Sequence, residues 1–254
     1  MNFKVNESAT KLRGGYYTPL DLAVYISRWA TEKSPETILE PSCGDGVFVE
    51  ALAKVKSKSK LCFTGFELLE EEAAKSRKRC LGLPHFEAKI YNQDFLDFAI
   101  SRMLKGRADF DCVVGNPPFI RYQYLPEESQ RKAEAVFKIL HLPFTKHTNA
   151  WVPFVLASVA MLKPGGRLAL VSLSPGVTTL GRLFAAGHTL LYRFHPEWFL
   201  GCRPIVLTAY LGAGGFALRE RHHYFRWHPS EVLLAERPYP PVVRRQTARP
   251  FLLQ

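Results

Sequence analysis

The sequence predicts an α/β protein built on a largely parallel sheet. Short apolar runs of strand length alternate with segments of helical apolar spacing, and that alternation implies parallel pairing. Two of the runs end in turns that carry glycine or acid. At 254 residues and 47% hydrophobic content, the chain can bury one sizeable core. Helical spacing covers Leu20 to Thr31, Val47 to Lys54 and Leu69 to Cys80. The strands between and after them are Ile38-Leu39-Glu40, Leu61 to Glu67, about Phe86 to Tyr91, and Val113-Val114-Gly115. A polar helix runs from about Glu127 to Leu140. An apolar one from Trp151 to Leu162 closes at Lys163-Pro164-Gly165-Gly166 before the strand Arg167 to Leu173. Two further candidate strands lie near Leu190 to Phe194 and Ile205 to Leu211.

The turns carry the chemistry. Val113-Val114-Gly115 stops in Asn116-Pro117-Pro118-Phe119. Two successive prolines fix φ and remove two backbone donors, leaving carbonyl oxygens that suit a planar NH2 group. The Asn116 side chain adds an acceptor beside the Pro117 carbonyl. An amine donating to both would be drawn out of conjugation with its ring and become nucleophilic. Phe119 can stack on that ring. Upstream, Glu40-Pro41-Ser42-Cys43-Gly44-Asp45-Gly46 links a strand to a helix start, the shape of a nucleotide-binding loop. Gly44 and Gly46 allow close backbone approach to a ligand, and Glu40 is placed to hold a ligand ammonium. Glu67 ends the next strand at the spacing of a ribose-gripping acid. Asp94 and Phe95 after the third strand offer an aspartate for an adenine amine with an aromatic edge beside it.

In this order the pieces resemble S-adenosylmethionine-dependent amino-methyltransferases. The nearest group is the gamma class of DNA adenine-N6 methyltransferases from restriction-modification systems. The resemblance spans about residues 14 to 212. It implies the class I methyltransferase fold: a Rossmann-like, doubly wound seven-stranded sheet, mostly parallel with one antiparallel strand. The cofactor motif ahead of the glycine loop, which marks the class, falls on Gly14-Gly15-Tyr16-Tyr17-Thr18-Pro19. The implied S-adenosylmethionine contacts are Thr18, Glu40, Pro41, Ser42, Cys43, Gly44, Gly46, Glu67, Asp94, Phe95 and Pro118. The implied catalytic turn is Asn116, Pro117, Pro118 and Phe119. A second aromatic that sandwiches the flipped adenine against Phe119 maps to Phe199. DNA is the implied substrate, with a specificity subunit or recognition domain as a further partner.

Residues 1–13 read as a tail, 14–212 as the catalytic domain and 213–254 as a basic extension where the family carries a full target-recognition domain. That extension holds Arg219, Arg221, His222, His223 and Arg226. The segment 121–149, with Arg121, Tyr122, Tyr124, Arg131, Lys132, Lys138 and Lys146, reads either as a flap facing nucleic acid or as a solvated helix. A net charge of +11 favours polyanionic partners without choosing DNA or RNA. Five cysteines, none in a Cys-x-x-Cys pair, predict reduced core thiols and a cytoplasmic setting. No membrane span and no metal site are expected; His222, His223 and His228 lack partners at ligand spacing. RNA guanine-N2 and protein-glutamine methyltransferases share the glycine loop and the Asn-Pro-Pro turn and stay open as alternatives. So does a non-catalytic module that binds DNA or a partner. A nicotinamide-dependent dehydrogenase is disfavoured by Val49 at the place of a third glycine.

Overall fold

The central apolar runs become strands of one sheet because they are covered on both faces. In a computed structural model of the chain, β1 (Thr37–Glu40), β2 (Leu61–Glu67), β3 (Phe86–Asn92), β4 (Phe110–Gly115) and β5 (Leu162–Leu173) pair in parallel. A hairpin of β6 (Ala217–Phe225) and β7 (Pro229–Glu236) completes the sheet, β7 running antiparallel to both β5 and β6. The strand order is β3-β2-β1-β4-β5-β7-β6. The structure describes residues 18–55, 60–81, 86–118, 120, 122–146, 148–173, 211, 216–225 and 229–238, with isolated positions between 179 and 190.

Among the described residues six long helices cover the sheet: α1 (Leu20–Thr31), α2 (Val47–Lys54), α3 (Glu70–Cys80), α4 (Phe95–Leu104), α5 (Glu127–Ile139) and α6 (Trp151–Ala160). Successive strand side chains point to opposite faces, and the core divides accordingly. Ile38, Phe63, Cys112, Val114, Ala169, Val171, Val232 and Leu234 pack under α1 and α2. Their neighbours Leu39, Phe66, Val113, Leu168, Leu170, Leu233 and Ala235 pack under α4, α5 and α6. Burial on both faces is why these strands read as unbroken apolar runs. The turn expected at 163–166 interrupts β5. Leu162 already pairs with Phe110, the intervening residues bulge out with Gly165 at φ 77°, and pairing resumes at Arg167 opposite Cys112.

The domain boundary expected at 212 cuts through this sheet. The stretches near 190–194 and 205–211, read as its last strands, lie outside the described residues apart from Leu190 and Leu211. The strands that close the sheet come from 217–236, inside the stretch read as a basic extension. Positions 218–223 of β6 are all exposed, so that strand shows a run of charge rather than an apolar period. β7 hides only Val232, Leu233, Leu234 and Ala235 in the core, too short a run to stand out.

The hairpin is fixed to the rest of the fold by Arg167, which sits opposite Glu236 in the β5–β7 register. Its buried guanidinium donates to Glu236 Oε1 (3.1 Å), to Glu32 Oε2 (2.8 Å) and to the Trp29 carbonyl, and lies 3.9 Å over the Trp29 ring. Removing Arg167 takes a charge-assisted bond from two carboxylates and a carbonyl at once. Arg167→Met should therefore lower the unfolding free energy by about 3 kcal/mol in urea denaturation. Burial would raise the Glu236 carboxyl, yet Lys33, Arg219 and Arg167 hold it down at about 2. A folded-state pKa below the unfolded one adds stability at neutral pH that is lost as pH falls from 4.5 toward about 2. Glu236→Gln should flatten that acid limb in a series of pH-dependent melts.

Candidate active site

Strand order reverses between β1 and β4: the chain leaves β1 toward β2 on one side and reaches β4 on the other. A crevice opens at the carboxyl ends of strands at such a point, and both singled-out turns start there. Glu40 is the last residue of β1, and Asn116 follows the last residue of β4. Glu40 is 2% exposed, and its Oε2 has no hydrogen-bond partner among the described residues. Burial first, then the charges of Glu67 and Asp45, push this carboxyl well above its ordinary pKa. Pro41 is buried against β4, its Cδ 3.5 Å from where a β-carbon on Gly115 would lie.

The glycine loop is docked on β2 by the Cys43 N–H, which donates to the Phe66 carbonyl (2.8 Å). It turns into α2 through Gly46, whose φ of 89° is left-handed. A β-carbon there would lie 2.7 Å from Ser76 Oγ and 2.8 Å from Ser76 Cα, so both backbone and packing require glycine. Glu67 braces the loop from β2: its Oε2 accepts from the Gly44 N–H (3.0 Å) and its Oε1 from the Leu69 N–H (2.9 Å). Ser42 Oγ donates to the Asn116 carbonyl (3.1 Å), tying the glycine loop to the Asn-Pro-Pro turn. Cys43 is buried, and burial followed by the nearby Glu40 charge holds its thiol protonated. Thr18 is buried just ahead of α1, while Gly14 to Tyr17 lie outside the described residues.

Pro117 is buried, and Asn116 and Pro118 are half-buried. Both predicted adenine-stacking aromatics, Phe119 and Phe199, lie outside the described residues. At the third acid, Asp94 caps α4, with Oδ1 accepting from the Leu96 N–H (2.9 Å) and Oδ2 from Lys132 Nζ (3.0 Å). Phe95, expected to offer an aromatic edge to the cofactor, instead turns its ring into the core against Phe66 and Phe154. As the first residue of α4 it can offer a ligand only its backbone side.

The segment after the Asn-Pro-Pro turn is ordered inward more than a flap would be. The buried Tyr122 donates its hydroxyl to Glu134 on α5 instead of facing a base. Arg131 pairs with Glu127, and Lys132 with Asp94, Asp97 and Glu128. Ala133, Val136 and Phe137 bury the opposite face of α5. Tyr124, Lys138 and Lys146 remain exposed, and Arg121 and His147 lie outside the described residues. The Lys132–Asp94 pair joins residues 38 apart, and the only local sign of it was the Glu128 to Lys132 spacing on one helix.

Residues 3–185 match the family model for N-6 DNA Methylase. The chain belongs to this family. Among its relatives is the type II methyltransferase M.HincII of Haemophilus influenzae, 23% identical over 167 residues, covering 66% of this chain and 29% of that protein. The chain therefore spans under a third of that relative's length. Among solved structures it is similar to the type I restriction-modification methyltransferase subunit of Streptococcus thermophilus. There the TM-score is 0.54 at 18% identity, covering 87% of this chain and 44% of the other. It is similar also to magnesium protoporphyrin IX methyltransferase of Synechocystis PCC 6803 with bound SAH, at TM-score 0.51 and 13% identity, covering 89% and 91%. The fold is that of class I S-adenosylmethionine-dependent methyltransferases, and S-adenosylmethionine is the methyl donor of this family. Among the described residues no helix is long and apolar enough to cross a membrane, and no group of His, Cys, Asp and Glu is arranged to hold a metal.

The residues at the switch point fit that cofactor on their own chemistry. A buried carboxylate oxygen without a partner is costly unless a bound cation satisfies it, which the ammonium of a methionine moiety would do. Glu40→Gln should weaken S-adenosylmethionine binding by about tenfold or more in calorimetry. Because the Glu40 pKa rises on folding, the ligand-free protein loses stability as pH climbs above the ordinary carboxylate range. The glutamine variant should lack that loss and melt higher than wild type at neutral pH.

Proposed function

We propose that this chain is the catalytic core of a DNA methyltransferase that modifies the exocyclic N6 amine of adenine. The observation that carries the reading is the Ser42–Asn116 hydrogen bond, which sets the glycine loop and the Asn-Pro-Pro turn side by side at the switch point. Family membership gives the substrate class. S-adenosylmethionine, when bound, supplies an electrophilic methyl group on its sulfonium. Thr18 and Glu40 hold the methionine end, the loop from Pro41 to Gly46 and Glu67 the middle, and Asp94 the adenine amine, with the Phe95 backbone and Pro118 closing the pocket.

On the substrate side, an adenine swung out of the duplex stacks on Phe119 and Phe199, at a cost of a few kcal/mol for unstacking. The Asn116 side-chain oxygen and the Pro117 carbonyl accept its two amine protons. This keeps the nitrogen lone pair off the ring and aimed at the methyl donor. No strong general base is needed, since an amine that has gained a methyl group is acidic and releases a proton readily. The burial of Pro117 and the bond from Ser42 fix these acceptors before substrate arrives. Base sequence is read by a separate domain or a specificity subunit, in line with the subunit nature of the Streptococcus relative.

Incubation with methyl-labelled S-adenosylmethionine and unmethylated DNA, with total RNA in parallel, tests the reading after digestion to nucleosides. Label is expected in N6-methyladenine from DNA. Label in RNA guanine, or in the glutamine of a protein substrate offered in a third reaction, would replace it. Asn116→Ala should lower kcat by about 10³-fold while sparing cofactor affinity, read by single-turnover transfer beside calorimetry.

A further inference from the structure

Lys132 is a lysine held almost out of water, with its side chain 15% exposed and no role assigned so far. It projects from α5, the helix that follows the catalytic turn, toward the amino end of α4. There its Nζ meets Asp94 Oδ2 at 3.0 Å, Asp97 Oδ2 at 2.7 Å and Glu128 Oε1 at 2.8 Å. Three donors thus meet three carboxylates, the full complement of an ammonium group. The charge is locked in: those partners raise the lysine's pKa although burial works against it. Asp94 is in turn held at both oxygens, Oδ1 by the Leu96 N–H and Oδ2 by the lysine. A carboxylate fixed at both ends cannot rotate, while each oxygen keeps a second lone pair for another donor.

We propose that Lys132 is a positioning residue that fixes the plane of the Asp94 carboxylate so that its spare lone pair receives the 6-amino group of the cofactor's adenine. The proposal rests on the reading of Asp94 given above. Nothing else among the described residues holds Oδ2: without the lysine, the carboxylate keeps only its capping bond to Leu96, and α4 then sets its orientation alone. The lysine also balances the charge of Asp94, Asp97 and Glu128, so its loss would leave three carboxylates gathered at one helix start. Through α5 the same residue reaches the substrate side, because Glu134, two positions on, takes the Tyr122 hydroxyl just beyond the catalytic turn.

The test compares binding of S-adenosylhomocysteine with that of S-inosylhomocysteine, in which an oxo group replaces the 6-amino group. Titration calorimetry is run on wild type, Asp94→Asn, Lys132→Met and Lys132→Arg. Lys132→Met should weaken the adenosyl ligand by about tenfold and leave the inosyl ligand nearly unchanged, with Lys132→Arg recovering most of the loss. A merely structural lysine would move both ligands equally, and that result overturns the proposal. If Asp94→Asn abolishes discrimination between the ligands but Lys132→Met preserves it, the lysine's role is wrong while Asp94 stands. If Asp94→Asn leaves discrimination at the wild-type value, the Asp94 reading fails and takes this proposal with it.

Discussion

Burying the Glu40 carboxylate with an unpartnered oxygen works against folding, and the architecture around it is what keeps it there. The residue is the last of β1, a strand of four residues paired on both sides, to β2 and to β4. Its side chain cannot turn outward without breaking one of those ladders. Its Cγ lies 3.8 Å from where a β-carbon on Gly115 of β4 would stand, and Pro41 next in sequence is itself buried. The cost is met by the two-sided core of the central strands, where Ile38 and Leu39 are wholly buried on opposite faces. The site depends on that core twice over, for the position of Glu40 and for the crevice into which it opens.

The loops at the crevice are held by one another rather than by the sheet alone. Glu67 belongs to β2 yet bonds to the loop after β1; Ser42 belongs to that loop yet bonds to the turn after β4. Each bond crosses from one strand's exit to the next, so the ends of β2, β1 and β4 behave as one body. A displacement at the glycine loop would be felt at Asn116 through a single hydrogen bond. Such short links let weak local interactions place reacting groups, since every loop has a neighbour to report to.

What was legible in the sequence follows burial. The bounds of α1 and α2 match the apolar spacing residue for residue, because Ala23, Ile26 and Ala30 in the one and Phe48, Val49 and Leu52 in the other must reach the same core. Glu40, Glu67 and Asp94 stood out in the sequence because each ends a strand or begins a helix, and the structure places them at those ends. Phe95 misled because an aromatic beside a site acid and an aromatic in the core look alike in one dimension; only the rings of Phe66 and Phe154 decide between them. Tyr122 and Lys132 were read as part of a flap facing nucleic acid or of a solvated stretch, since their partners, Glu134 and Asp94, are met only after the chain has folded. The closing hairpin was missed because β6, at the rim of the described sheet, has no obligation to be apolar, and β7 buries an apolar run of only four residues.

That rim has a consequence for the protein's behaviour in concentrated solution. β6 is the outermost strand on its side of the described sheet, and an unpaired strand edge is a template on which a second copy can add a strand. Here the edge is studded with Arg219, Glu220, Arg221, His222 and His223, all exposed, with Arg219 and Arg221 anchored back to Glu236 and Glu231 of β7. Two such edges brought together would strip water from these charged side chains. The charged character of this stretch thus disfavours edge-to-edge pairing without requiring a ligand.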